Sequence, residues 1–211
     1  KTKKYFWLRL LYLYPDLSLI KRIVKVMKSD ERVCPYIDIP FQHVSDNILK
    51  SMRRGYRKKD ILEITAYLKE QVPGITIRSG FITGYPGETK ADFEELREFI
   101  KQGHIDRAGF FAYSDEPGTH AYTLKGKHTI KECETRRGIL MLDSAENYAY
   151  NKNSAKGKTI KVLIAGMKNS TTYAARTQGN APDIDSYVLV KASKKLDAGS
   201  FCNVKITGVQ G

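Results

Sequence analysis

Ile77-Arg-Ser-Gly-Phe-Ile-Thr-Gly-Tyr-Pro-Gly-Glu-Thr89 carries an apolar strand into a turn built from two glycines and a proline. The turn runs on to Thr89-Lys-Ala-Asp92, a Ser/Thr-x-x-Asp/Glu pattern that starts helices. The unit is therefore strand, loop, helix, with the loop at the carboxyl end of the strand. Ligands bind at that end in parallel α/β folds. Gly84, Pro86 and Gly87 would also suit a plain tight turn. One βα unit earlier, however, a second loop of the same type occurs at Tyr36-Ile-Asp-Ile-Pro-Phe-Gln-His43.

Around these loops strand and helix patterns alternate. Phe6–Tyr14 reads as a strand buried on both faces, ended by Pro15 and Asp16. Leu19, Ile20, Ile23, Val24 and Met27 have helical spacing. Tyr36–Ile39 is a short strand, and Ser45–Met52 a helix capped by Ser45 or Asp46. Asp60–Val72 is a helix closed by Pro73-Gly74. Ile75–Thr83 is a strand, Ala91–Lys101 a helix, Ile105–Tyr113 a strand and Thr129–Asn151 a long mixed-charge helix. This order predicts an α/β unit with a parallel sheet and right-handed crossovers. Four strands cannot close a barrel, so the sheet is open or has further strands before Lys1.

Near Gly157 the pattern changes. Thr159–Ile164, Thr172–Arg176, Tyr187–Lys191 and Phe201–Thr207 alternate as short strands. Such a segment predicts a small all-β barrel of the OB class. It carries eight basic and three acidic side chains.

The whole chain has a formal charge of +13 over 211 residues. That suits an anionic partner such as RNA or a ribonucleoprotein, and equally a basic protein from a Lys-rich proteome. No apolar stretch is long enough to span a membrane, and the start lacks the pattern of a secretory signal. Cys34, Cys133 and Cys202 stand far apart, which gives no metal spacing and suits free thiols in a reducing cytoplasm.

The strand-end loops would gather Gln42, His43, Glu88 and Ser114 at one mouth, with Arg53, Arg54 and Arg78 nearby. Arginine forks suit a carboxylate, and glutamine suits a hydroxyl or amide. His43 would serve equally as a capping or core histidine, and Glu88 as a favourable charge at a helix N-terminus. The sequence offers no nucleophile with its base, so chemistry carried by a bound cofactor is the stronger reading.

Phe6-Trp-Leu-Arg-Leu-Leu-Tyr-Leu-Tyr-Pro15, Pro35–His43, Ile48-Leu-Lys-Ser-Met-Arg-Arg54 and Phe81–Thr89 together resemble the radical S-adenosylmethionine methylthiotransferases. The resemblance implies that residues 1–156 are the later part of a TIM-like (β/α) partial barrel. Residues 157–211 would be a TRAM domain, an OB-like β-barrel. Pro40-Phe-Gln-His43 and Arg176-Thr-Gln-Gly-Asn-Ala-Pro-Asp-Ile-Asp185 resemble the branch that methylthiolates an aspartate β-carbon of a small-subunit ribosomal protein. A basic β-domain fits RNA, the target of the branch acting on transfer RNA adenosine. A non-enzymatic RNA- or ribosome-binding module stays open as a third reading.

The resemblance further implies S-adenosylmethionine as cofactor and two [4Fe-4S] clusters in the full-length protein, none ligated by this chain. By itself the chain is expected to be inactive, and the full protein to be cytoplasmic. Gln42, His43, Arg54, Arg78, Gly84, Pro86, Gly87, Glu88, Tyr113 and Ser114 are the implied cofactor contacts. Arg176, Asp183 and Asp185 are the implied substrate contacts.

Overall fold

The computed structural model describes residues 5–153 and 156–208. Four parallel strands stand in the order β1 (Leu8–Leu10), β2 (Val33–Asp38), β3 (Thr76–Thr83), β4 (Arg107–Ala112). Between and after them run α1 (Leu17–Ser29), α2 (Asp46–Ser51), α3 (Lys58–Gln71), α4 (Lys90–Lys101) and α5 (Ile130–Asn153). The helices cover one face of the sheet. Period-two alternation sends Ile37, Ile77, Phe81 and Phe110 into that face. There they meet Ile20 and Val24 of α1, Leu68 of α3, Phe99 of α4 and Leu140 of α5.

Local chemistry sets the helix starts. Thr89 and Asp92 form a reciprocal capping box at α4, as their spacing predicts. Asp16 does more than end a strand: its carboxylate caps α1 through the Leu19 amide at 2.8 Å. Ser45 stands at the N-cap of α2, but its hydroxyl makes no capping bond there. It donates instead to Asp92.

The Phe6–Tyr14 strand is much shorter than its apolar run suggests. Only Leu8–Leu10 pair, and Leu8, Tyr12 and Tyr14 are exposed. The reason is local: Tyr12 takes φ +57, which breaks the extended backbone, and β1 lies at the sheet edge.

The second domain is an antiparallel sheet in the order β7 (Val188–Lys191), β6 (Thr172–Arg176), β5 (Thr159–Asn169), β8 (Phe201–Lys205). Register shifts along β5, between Ile164 and Gly166 and again between Met167 and Asn169, curl it. Val162, Ile164, Tyr173, Ala175 and Val190 make its own small core.

The helix-free face of the parallel sheet receives this domain at the amino ends of the strands. The loop that follows β6 does the docking. Arg9 donates to the carbonyls of Thr177 and Gln178, and Arg107 Nε donates to Gly179 O at 3.1 Å. Tyr36 donates its hydroxyl to Asp185 at 3.0 Å, and the same carboxylate accepts from Ala181 N at 2.7 Å. Cys34, Tyr36 and Ala181 pack together with Trp7 and Leu11 beside these bonds. Gln178-Gly-Asn is thus part of a domain junction.

Candidate functional site

At the opposite, carboxyl ends of the strands lies a cleft of about 220 Å³. Its lining includes Arg53, Arg54, Ile82, Tyr85, Tyr113 and His120. Arg53 and Arg54 follow α2, Ile82 ends the free face of β3, and Tyr113 follows β4. Arg54 Nε is buried and has no hydrogen-bond partner. A buried unpaired donor is costly, so Arg54 carries hydrogen-bonding capacity at the cleft that no described side chain uses. The Tyr85 and Tyr113 rings meet edge to face with centroids 5.5 Å apart, which gives the cleft an aromatic wall. Burial and the neighbouring Asp115 carboxylate push the Tyr113 hydroxyl up to about 12. It therefore stays a neutral donor, bonded to Asp115 at 2.9 Å.

Gln42 closes the floor of the mouth through its backbone. It takes φ +68 and bridges to β3, accepting from Ile82 N at 2.8 Å and donating to Gly80 O at 2.9 Å. Below it the Phe111 ring lies against both Gly80 and Gly109, where an added Cβ would stand 3.4 and 3.6 Å away. One layer deeper, Arg78 pairs with the fully buried Asp38 at 3.0 Å. Arg78 is therefore already engaged, one strand layer short of the cleft. Asp38 itself is a charged residue in an apolar strand, a signal that could have marked it from the sequence.

His43 and Glu88 do not face the mouth. Both are buried behind the Gly84–Gly87 loop, their side chains fully covered. Glu88 accepts from the Gly84 amide and faces Arg136 NH1 at 3.1 Å. His43 Nδ1 accepts from Ser45 N at 2.9 Å, so the ring proton sits on Nε2, 3.5 Å from Glu88 Oε1. As placed, neither side chain belongs to the cleft lining. The reason is that the loop folds inward over Glu88, with Gly84, Tyr85 and Pro86 buried as well, and Tyr85 is the loop residue that lines the cleft. Ser114 is exposed and donates to Glu116 at 3.3 Å, away from the cleft lining.

The loop is held from behind by residues that carry no motif. Gly87 N donates to Gly126 O at 2.9 Å, and His128 Nε2 donates to Glu88 O at 2.8 Å. Thr83 Oγ1 donates to Cys133 O at 3.1 Å. Cys133 is buried against Gly84, and burial, helped by the Glu88 charge, pushes its thiol up. It is a packing thiol rather than a nucleophile.

Arg176 and Asp185, expected at a substrate surface, have their polar atoms engaged at the domain junction. Arg176 NH1 donates to Ala181 O at 3.0 Å and to Asp185 O at 3.3 Å. Asp183 differs: its side chain is 98% exposed, at a φ of +61.

A family model of the radical SAM superfamily matches residues 7–100, and a TRAM domain model matches residues 157–211. A Protochlamydia amoebophila protein named ribosomal protein uS12 methylthiotransferase RimO is 41% identical over 99% of this chain and 44% of its own length. Proteins of the same name from Clostridium kluyveri and Chloroherpeton thalassium are 42% and 41% identical over 95% and 97% of this chain. The chain belongs to the RimO-type radical SAM methylthiotransferases. It spans about half the length of the RimO relatives it matches. Among solved structures, coproporphyrinogen III oxidase HemN from Escherichia coli, described as a radical SAM enzyme, is similar over 75% of this chain and 33% of its own. That likeness, at TM-score 0.49 and 14% identity, is too loose to inform the site.

The radical SAM family implies S-adenosylmethionine, and the cleft offers groups of matching chemistry for two parts of it. The orphaned Arg54 Nε suits its carboxylate, and the tyrosine pair suits its adenine. Cys34, Cys133 and Cys202 lack the close spacing of the thiolates that a [4Fe-4S] cluster takes. Among the described residues no three Cys, His, Asp or Glu side chains gather as a metal-holding group.

Proposed function

We propose that the parent protein adds a methylthio group to the β-carbon of an aspartate of a small-subunit ribosomal protein. In this reading residues 1–156 supply the later half of the cofactor barrel, and residues 157–211 help hold the ribosomal substrate. The observation that carries the reading is the strand-end cleft with its unpartnered Arg54, in a chain similar to RimO proteins along nearly its whole length. S-adenosylmethionine, when bound, supplies both the radical that abstracts hydrogen and the methyl group.

This chain's residues do the holding. Arg54 receives a carboxylate, Tyr85 and Tyr113 flank a flat ring, and Ile82 with the Gly84–Gly87 backbone sets the pocket wall. The cluster thiolates come from the part of the relatives that this chain does not span. Among the described residues no helix is long and apolar enough to cross a membrane, and a ribosomal target places the reaction in the cytoplasm. The basic TRAM surface meets ribosomal RNA around the protein target.

The test is the mass of the small-subunit ribosomal proteins in cells lacking the gene. One of them should lose a methylthio group, regained with the full-length wild-type gene but not with Arg54→Leu. Unchanged ribosomal-protein masses on deletion, with a methylthio group lost from transfer RNA, would overturn the assignment.

A further inference from the structure

The cofactor loop is built on a buried carboxylate whose counter-charge comes from outside the loop. Glu88 Oε2 accepts the Gly84 amide and stands 3.1 Å from Arg136 NH1. The same NH1 donates to the Glu88 carbonyl at 3.1 Å, so one guanidinium ties both the side chain and the backbone of residue 88. Its carbon lies 5.4 Å from the Phe93 ring centre, which fixes the side chain over α4. Glu88 Oε1 has no hydrogen-bond partner, and His43 Nε2, 3.5 Å away, has none either. Arg136 is thus the one cation paired with this carboxylate among the described residues. A buried carboxylate stripped of its cation would take up a proton or leave the site.

We infer that Arg136 is a positioning residue for the cofactor: by pairing with Glu88 it holds the Gly84–Gly87 backbone in the shape that receives S-adenosylmethionine. The inference rests on the cofactor reading above and extends it to helix α5. Arg137, the next residue, makes a natural control. It is paired with Glu134 on the solvent side of the same helix at 2.7 Å and touches no loop residue.

The experiment uses the full-length protein with its clusters reconstituted and measures the Kd of S-adenosylmethionine by calorimetry, well below each variant's melting temperature. Arg136→Met should loosen binding about tenfold, and Arg137→Met should stay within about twofold. Arg136→Lys, which restores the charge, should recover most of the loss. Glu88→Gln should loosen binding as well, and adding Arg136→Met to it should cost little more, because the two act through one contact. If Arg136→Met does not fold, Arg136→Lys with Glu88→Gln carries the test, with Glu88→Gln loosened and the lysine variant near wild type.

A folded Arg136→Met protein that binds as tightly as wild type, or fully additive losses with Glu88→Gln, would overturn the inference. So would a wild-type Kd for Glu88→Gln. A wild-type protein that fails to bind S-adenosylmethionine would instead overturn the cofactor reading itself, and this inference with it.

Discussion

Gly84 and Gly87 lie in one turn and share one backbone problem, yet substituting them should have different consequences. Both hold positive φ, +73 and +84. An alanine in that region costs roughly 1–2 kcal/mol at either site. At Gly87 nothing lies within 4 Å of an added Cβ, so that is the whole cost. At Gly84 the new Cβ would overlap Cys133 Sγ and lie 2.9 Å from Cys133 Cβ and 3.1 Å from its Cα. The obstacle includes helix backbone, so no rotamer change removes it. Overpacking of that kind costs about 1–3 kcal/mol more. Gly84→Ala should therefore destabilise by about 2–5 kcal/mol and Gly87→Ala by about 1–2 kcal/mol. The assay is urea denaturation followed by far-UV circular dichroism, with each variant repeated in a Cys133→Gly background. That background removes the thiol and its Cβ, so the gap between the two alanines should narrow there. Equal costs for the two alanines in the wild-type background would refute the reasoning. So would a gap that Cys133→Gly leaves untouched.

Other expectations follow from the same contacts. Asp185→Asn weakens the acceptor shared by Tyr36 and Ala181 N and should cost about 1–3 kcal/mol. Differential scanning calorimetry should show it as two unfolding transitions drawn apart, and one unchanged transition would count against the junction. Asp106, which accepts from Ile77 N, has its carboxyl raised by burial. A raised folded value means that its contribution is full below about pH 4 and is lost as pH rises through the folded value. Asp106→Asn should thus gain melting temperature relative to wild type between pH 4 and pH 7, and a constant difference would contradict the shift. Cys133, buried and raised, should react with iodoacetamide more slowly than the partly exposed Cys202 in the native protein. Faster labelling at Cys133 would mean that the loop opens readily.

Local rules carried much of the fold. The Thr89–Asp92 capping box, the β3 and β6 strands and the change to short antiparallel strands near Gly157 follow from spacing, propensity and turn residues. The site was legible only where side chains reach the mouth directly, as at Arg54 and Tyr113. His43 and Glu88 stand at mouth positions in the sequence, but their two loops fold so that both side chains are buried, and spacing cannot show that. Arg136 gave no signal, because an arginine on a long mixed-charge helix looks the same whether it meets solvent or a buried carboxylate. The junction was hidden for a different reason. Arg9 and Gln178 are 169 residues apart in the chain, and their bond depends on how two domains dock. Asp185 therefore reads from the sequence as a substrate contact, while in the structure it bonds Tyr36 and its own loop.

The most direct measurement gives the purified full-length protein two substrates at once: the small-subunit ribosomal protein and transfer RNA, with S-adenosylmethionine and a reductant. Mass spectrometry then locates any methylthio group. The account predicts modification at an aspartate of the ribosomal protein, abolished by Arg54→Leu. A methylthio group on transfer RNA adenosine alone, or one on the ribosomal protein that survives Arg54→Leu undiminished, would contradict it.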